Sequence, residues 1–381
     1  MANALPTRLN VARGVMEEYA RLTGLHPEGW PRRYLWTDAF AVFNFLELYR
    51  LTGGGLYKQL AIRLVDQVHH VLGRHRGDDG RSGWISGLND SEAEEHPTVR
   101  GLRIGKKLPE RRLDEPYDPV LEWERDGQYY HYLTKWMLAL RKMAKATGNV
   151  KYLKWSVELA KAAHKAFIHT SPLDGRKYIY WKMSIDLSYP LTLQEGQHDV
   201  IDGLITYAEL QVASPEGVLT EEVKEALSMC KERDWSEWVS DDPLGVGELL
   251  SLSFRAARLT FKGASYLAGL LHSLLEAAYV SLKAYLPKDF LNLPASRRLA
   301  FRELGLSIGL HAAEELKALA EKLGLTYHPL IKSLEKFIPM GLKIKEFWTN
   351  PINWEVDSWM EHREINMVML ATSLLPDGYL D

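Results

Sequence analysis

The stretch from Glu124 to Phe167 constrains the fold more tightly than any other part of the chain. Tyr130, Leu133, Met137, Leu140 and Ala144 recur at spacings of three and four, and Tyr129, Tyr132, Trp136, Ala139 and Met143 do the same one step round. An apolar arc this wide predicts a helix buried on two sides, because a surface helix carries a single stripe. Thr147-Gly148-Asn149 then breaks the pattern, as a glycine does at a helix C-terminus. The helix that follows shows one stripe only, made of Tyr152, Trp155, Leu159, Ala162 and Ala166. The segment therefore reads as a hairpin with an inner and an outer member.

The same alternation is expected elsewhere. Residues 8–23 form a helix that ends in Arg21-Leu22-Thr23-Gly24, and Arg50-Leu51-Thr52-Gly53 closes a second that starts near Thr37. A third runs over 56–72. Tyr57 follows Thr52 by five residues and Tyr152 follows Thr147 by five, which reads as an internal repeat. Further helices are expected near 199–213, 219–233, 246–260, 264–285, 298–321, 328–338 and 357–373. That makes twelve, or six hairpins if the first pairs with the last. Strand signals are few; Lys177–Met183 is the strongest, after a hairpin turn at Asp174-Gly175.

Connections alternate in length. They are short after helices two and four and long over 75–125 and 169–198, with lesser segments at 234–245, 286–297 and 339–356. In a ring of inner and outer helices the longer segments all meet one face, at the N-termini of the inner helices, where a rigid scaffold presents functional groups. They carry Trp84, Tyr117, Trp123, Trp181, Trp235, Trp238, Trp348 and Trp354, a content that suits ordered loops. No linker or low-complexity tract divides the chain, so one domain over residues 1–381 is expected.

Composition narrows the function. A formal charge of −3 without a basic block argues against nucleic acid or an acidic membrane as partner. A single cysteine, Cys230, excludes a disulfide scaffold and a cysteine-rich zinc site. The N-terminus has no apolar leader and no window approaches the ~20 apolar residues of a membrane span, so a soluble, cytoplasmic protein is expected. The 12 tryptophans stand out, since in a protein with a cleft they supply flat surfaces for sugars and other rings.

Twelve helices in six hairpins, long aromatic loops on one face and the phrase Tyr34-Leu35-Trp36-Thr37-Asp38-Ala39-Phe40 resemble the (α/α)6 barrel of the six-hairpin glycosidase superfamily. That superfamily includes glucoamylase-like hydrolases, unsaturated glucuronyl hydrolases and, in a related toroid, N-acylglucosamine 2-epimerases. The resemblance spans nearly the whole chain. It implies an all-α (α/α)6 toroid, a small-molecule carbohydrate substrate and no cofactor; the oligomeric state stays open. Lanthionine cyclases share a similar toroid but need zinc-binding cysteines. Asp241-Asp242-Pro243 is only a fragment of the acid clusters of terpene cyclases.

Asp38, Asp126, Asp199, Asp202 and, more weakly, Asp242 and Asp357 sit where inner helices begin. A carboxylate there can simply cap free backbone N–H groups at the positive end of the helix dipole. Several on one funnel could instead supply the protonated and ionised carboxyl pair of glycoside hydrolysis. The favoured pair is Asp126, beside a Gly127 that would let a ligand reach the backbone, and Asp202, in the polar run Gly196–Gly203; Asp38 is third. Asp199 and Asp202, three apart, share a helix face. His198 and His362 lie beside acids at helix starts and suit proton transfer near neutral pH, the chemistry of a sugar 2-epimerase or isomerase. His69-His70 and His75 read as helix-end groups, and no histidine pair has metal spacing with a third ligand, so no metal site is expected.

Substrate contacts are expected from the rings of Trp36, Trp84, Trp181, Trp354 and Trp359, from the forks of Arg33 and Arg363, and from Gln128, Gln197 and Asp199. The run Asn353–Glu364, with two Trp, four acids, His362 and Arg363, alternatively forms a buried polar network that closes the ring against helix one. Three readings remain at this point: a glycoside hydrolase, an epimerase, and a carbohydrate-binding relative without turnover.

Overall fold

The structure, a computed structural model, describes residues 4–26, 29–215, 217–285, 290–322 and 329–381. Twelve helices of at least 12 residues lie among the described residues: α1 Ala4–Leu22, α2 Leu35–Thr52, α3 Gly55–Leu72, α4 Tyr130–Thr147, α5 Lys151–Phe167, α6 Asp199–Ala213, α7 Thr220–Lys231, α8 Pro243–Phe261, α9 Ala268–Tyr285, α10 Ala300–Lys322, α11 Ile338–Thr349 and α12 Arg363–Leu374. They fall in two compact units, residues 20–232 and residues 1–19 with 233–381. Among the described residues no helix is long and apolar enough to cross a membrane.

In the unit of residues 20–232, three hairpins pair α2 with α3, α4 with α5 and α6 with α7, and α4 packs against both α2 and α6. The inner helices are buried all round: every residue of α2 from Leu35 to Leu48 is buried. The outer helices bury one stripe, as α5 does with Tyr152, Ser156, Leu159, Ala160 and Ala163. The repeated Thr-Gly ends have one geometry. Gly53 and Gly148 take left-handed φ values of 67° and 70°, which glycine adopts without the steric cost that a Cβ would carry. Each preceding threonine hydroxyl donates to the carbonyl four residues back, Thr52 to Leu48 and Thr147 to Met143, both at 2.6 Å. It also accepts from the N–H two residues on, Gly54 and Asn149.

Long segments lead into α4 and α6 and contain five short strands: β1 Gln128–Tyr129, β2 Ile168–Thr170, β3 Lys177–Ile179, β4 Lys182–Met183 and β5 Pro190–Thr192. β2 and β3 form an antiparallel hairpin, with Gly175 at φ 72° in its turn. β4 lies between β1 and β5, antiparallel to both, and aligns Tyr129 with Lys182. The strand expected over Lys177–Met183 is therefore two strands in two sheets, while β1 and β5 are too short to leave a period.

In the second unit α8 packs on α9, and α10 packs on α8, α11 and α12. The α8–α10 contact is a meeting of backbones. A Cβ on Gly247 would overlap the carbonyl oxygen of Gly305, and one on Gly309 would overlap that of Gly247. One expectation is corrected here: 339–356 is not a loop, because α11 occupies Ile338–Thr349. Pro339 and Gly341 resemble breakers, but a proline in the first turn of a helix gives up an N–H that has no partner there anyway. The helix expected over 328–338 starts at His328, outside the described residues, and continues as the short helix Pro329–Leu334 and a 3₁₀ turn. Residues 286–289 of the expected 286–297 loop also lie outside them. The helix expected over 357–373 is two, Asp357–Met360 and α12, with Glu361-His362 between them.

Candidate active site

The N-terminal ends of α4 and α6 bring a set of ionisable groups together in the unit of residues 20–232. Asp202 on α6 is 2 % exposed and accepts from Lys135 Nζ at 2.9 Å and from the Thr134 hydroxyl, both on α4. Asp199, one turn earlier on the same face, is 4 % exposed, and its Oδ2 has no hydrogen-bond partner. Burial, and then the nearby Asp202 and Glu195, push the Asp199 carboxyl well above the usual range. Gly196 lies against this carboxyl so closely that a Cβ would overlap it. The result is a carboxyl that holds its proton more tightly than usual next to an ion-paired carboxylate, two acids separated by environment.

His131, in the first turn of α4, has Nδ1 3.8 Å from Asp199 Oδ1 and a side chain 31 % exposed. Burial and then Lys135 lower its pKa to about 3, so the imidazole is neutral near pH 7. It lies on the open side of the acids among stacked rings. Its ring centre is 5.5 Å from Tyr129, 6.4 Å from Trp181 and 4.8 Å from Tyr132.

These rings belong to an aromatic shelf assembled by the small sheet. Tyr129 on β1 and Trp181 just before β4 stack at 4.8 Å, and Trp123 meets Trp181 edge-on at 4.9 Å. The hydroxyls of Tyr34 and Tyr132 are 2.6 Å apart. Burial raises the Tyr34 hydroxyl to about 12 and lowers the ammonium of Lys106, which stands 5.8 Å from the Tyr34 ring and 5.9 Å from Trp123. Trp123 is exposed and Tyr34, Tyr132 and Trp181 are half-buried. Apolar ring surface with a few fixed polar groups is the usual lining of small-molecule sites.

The expected site residues divide. Asp199, Asp202 and Trp181 come together here. Gln197 is exposed and His198 half-buried, the latter at the N-cap of α6. Asp126 is 0 % exposed and accepts from Arg103 at 2.7 Å, Arg76 at 3.3 Å, and the N–H groups of Gly105 and Gly127. It ties down the loop before α4. Gly127 faces protein and not ligand space, since a Cβ there would stand 2.7 Å from both Met183 O and Leu191 Cδ1. Gln128 is buried and spends its amide on Leu102, Arg100 and Ile185 backbone groups. Asp38 pairs with buried Arg33 at 3.2 Å and accepts from the Tyr34 N–H. Trp36 is buried on Phe40, and buried Trp84 donates to Asp90.

Four others lie in the second unit. Trp359 is buried between Trp348 at 5.7 Å and half-buried Trp354 at 5.3 Å. Arg363 donates to Glu18 of α1 at 3.0 Å, a contact with helix one that is half-exposed and not the buried network the sequence offered as an alternative. His362 caps α12 and packs edge-on to Phe301 at 5.4 Å. Sequence reasoning missed His131, Lys135, Tyr34, Trp123, Tyr132 and Lys106 as site groups. His131 was legible in one respect: it is a titratable residue in the first turn of a helix whose neighbours on both sides, Tyr130 and Tyr132, read as apolar. Among the described residues no group of three His, Cys, Asp or Glu could hold a metal ion.

No protein-family model and no curated relative matches the sequence. Solved structures do match. A GH76 α-mannanase of Bacteroides thetaiotaomicron superposes with a TM-score of 0.57 at 10% identity, over 99% of this chain and 97% of that one. A family 76 glycoside hydrolase from a bovine strain of the same species gives 0.56 at 12%, over 97% and 77%. The chain has the (α/α)6 fold of the six-hairpin glycosidase-like proteins. An α-1,6-mannanase of Salegentibacter sp., GH76A, shares this (α/α)6 fold with a TM-score of 0.53 at 13% identity, over 97% and 99%. It was solved as an inactive variant lacking two adjacent aspartates, in complex with α-1,6-mannotetrose. Adjacent aspartates occur here at Asp78-Asp79 and Asp241-Asp242. Asp78 pairs with Arg76, Asp79 with Arg81 and Asp242 with Arg302. In this (α/α)6 chain the acids that gather beneath the aromatic shelf are three residues apart and belong to inner helix α6.

Proposed function

We propose that this chain is a glycoside hydrolase acting on an oligosaccharide, with Asp199 as general acid and Asp202 as the carboxylate that works ionised. The observation that carries the reading is the Asp199 carboxyl: buried, its pKa raised by burial and nearby acids, with a free Oδ2, one helical turn from an acid paired with Lys135. The fold hosts more than one chemistry, so the reading rests on the site and not on the likeness. A sugar ring packs on the shelf of Trp181, Tyr132 and Tyr34. Asp199 protonates the departing glycosidic oxygen, the negative Asp202 faces the positive charge that develops at the anomeric carbon, and water adds there, its proton returning to Asp199. Activity then needs Asp199 protonated, so it persists below the raised pKa of that group and falls as pH rises through it.

A second reading has its own observation. His131, and not Asp199, is the group on the open side, and a neutral imidazole backed by a carboxyl suits proton exchange beside a sugar carbonyl. One experiment separates the two: proton NMR in D2O with an oligosaccharide panel that starts from α-1,6-mannotetraose and includes reducing sugars and uronates. New anomeric signals support hydrolysis; deuterium at C2 with linkages intact moves the chemistry to His131. Asp199→Asn should then lower kcat by about 10²–10⁴-fold in a folded protein, the range for loss of a general acid. Near-normal turnover in that variant ends the assignment.

A further inference from the structure

An open cavity of about 510 Å³ lies within the unit of residues 1–19 and 233–381. Thr7 and Arg8 of α1, Lys345, Glu346 and Thr349 of α11 and Leu374 of α12 line it. Lys345 is 7 % exposed, and among the described residues its ammonium has neither a hydrogen bond nor an ion-pair partner. Arg8, half-buried on the same cavity, has none either. A buried ammonium normally finds a counter-charge, because desolvation costs several kcal/mol per ion when nothing offsets it. Here its charged surroundings add to that cost. Burial and then the Arg8 cation of α1 lower Lys345 to about 8, and Glu314 of α10 offsets only part of this. Glu346, next in sequence, is exposed and within ion-pair distance of neither cation among the described residues.

We propose that this cavity binds the oxyanion group of a small molecule, a phosphate or a carboxylate, between the guanidinium of Arg8 and the ammonium of Lys345. A guanidinium holds two oxygens in its fork, and an ammonium adds a point charge with three donors. The cavity is larger than a bare oxyanion needs, which fits an anion carried on a sugar-sized body. The inference is independent of the acids of α6, which lie in the other unit.

The test measures the rate at which acetic anhydride modifies Lys345, read by peptide mass mapping of the whole protein, with inorganic phosphate, glucose 6-phosphate, glucuronate or glucose present. Bound oxyanion keeps the amine protonated and covered, so modification slows. Glucose has no effect. Stronger protection by glucose 6-phosphate than by phosphate points to a phosphorylated ligand, and stronger protection by glucuronate to a carboxylate. Arg8→Gln, on a partly exposed helix position, should weaken the half-protecting concentration about tenfold, equivalent to about 1.4 kcal/mol. The proposal is overturned if none of the three anions protects Lys345, or if Arg8→Gln is protected as well as the natural chain.

Discussion

His69 shows how a single side chain can escape a pattern that names its neighbours correctly. The sequence places it at the end of an outer helix, where a solvated role is expected. In the structure it is 3 % exposed, and its Nε2 accepts from Trp136 Nε1 of α4 at 3.1 Å. The signal was present: His69 falls four residues after Val65 and eight after Ala61, on the buried stripe of α3. Burial and then the charges of His70 and Lys151 lower its pKa to about 3. The unfolded chain binds this proton near pH 6.5 and the folded chain does not. The His69 contribution to stability is therefore complete above about pH 6.5 and is lost as pH falls toward about 3, at a slope of about 1.4 kcal/mol per pH unit. Thermal melts over that window should show a shallower acid loss for His69→Gln than for the natural chain; equal slopes would mean another group dominates. Asp38 and Asp126 teach a related lesson. On paper they match Asp199, acids at inner helix starts, and ion pairs with Arg33, Arg76 and Arg103 distinguish them, two of these from a loop whose path no periodicity reveals.

At the scale of elements the legible features were those with local causes. The α4–α5 hairpin, its glycine C-cap and the threonine that braces it follow from residues a few positions apart. α11 did not, because Pro339 and Gly341 read as stops, although one stands in the first turn and the other packs on Leu310. Glycine also sets the α8–α10 contact. Gly309→Ala should destabilise the protein by about 1–3 kcal/mol, the cost of overpacking, because the new methyl meets the Gly247 backbone. Gly14→Ala, at an exposed position of α1 with nothing within 4 Å of the new Cβ, should instead stabilise by about 0.5–1 kcal/mol. Denaturant midpoints moving in opposite directions at unchanged m-value would confirm both; a shared direction would contradict the contact.

For the whole molecule, the alternation of doubly and singly buried helices was enough to imply an (α/α)6 fold, since it records how many neighbours each helix has. The site was less legible because its decisive contacts join distant positions: Lys135 meets Asp202 across 67 residues. The tryptophans were the most ambiguous signal. Trp181 joins the shelf, whereas Trp348, Trp359 and Trp354 form a packed column in the second unit. There the Trp354 indole N–H donates to the Trp348 carbonyl, and the Trp348 indole N–H donates to Glu303. Three indoles with centres 5.7 Å and 5.3 Å apart, their planes tilted by 27° and 11°, couple their electronic transitions. The far-ultraviolet circular dichroism of the protein should carry exciton coupling beneath its helical bands, and Trp359→Phe should remove the part this column contributes, leaving that of Trp123 and Trp181 on the shelf. The difference between the two spectra reports on residues 233–381, so light can follow the melting of one half of the chain while the signal of the other half cancels.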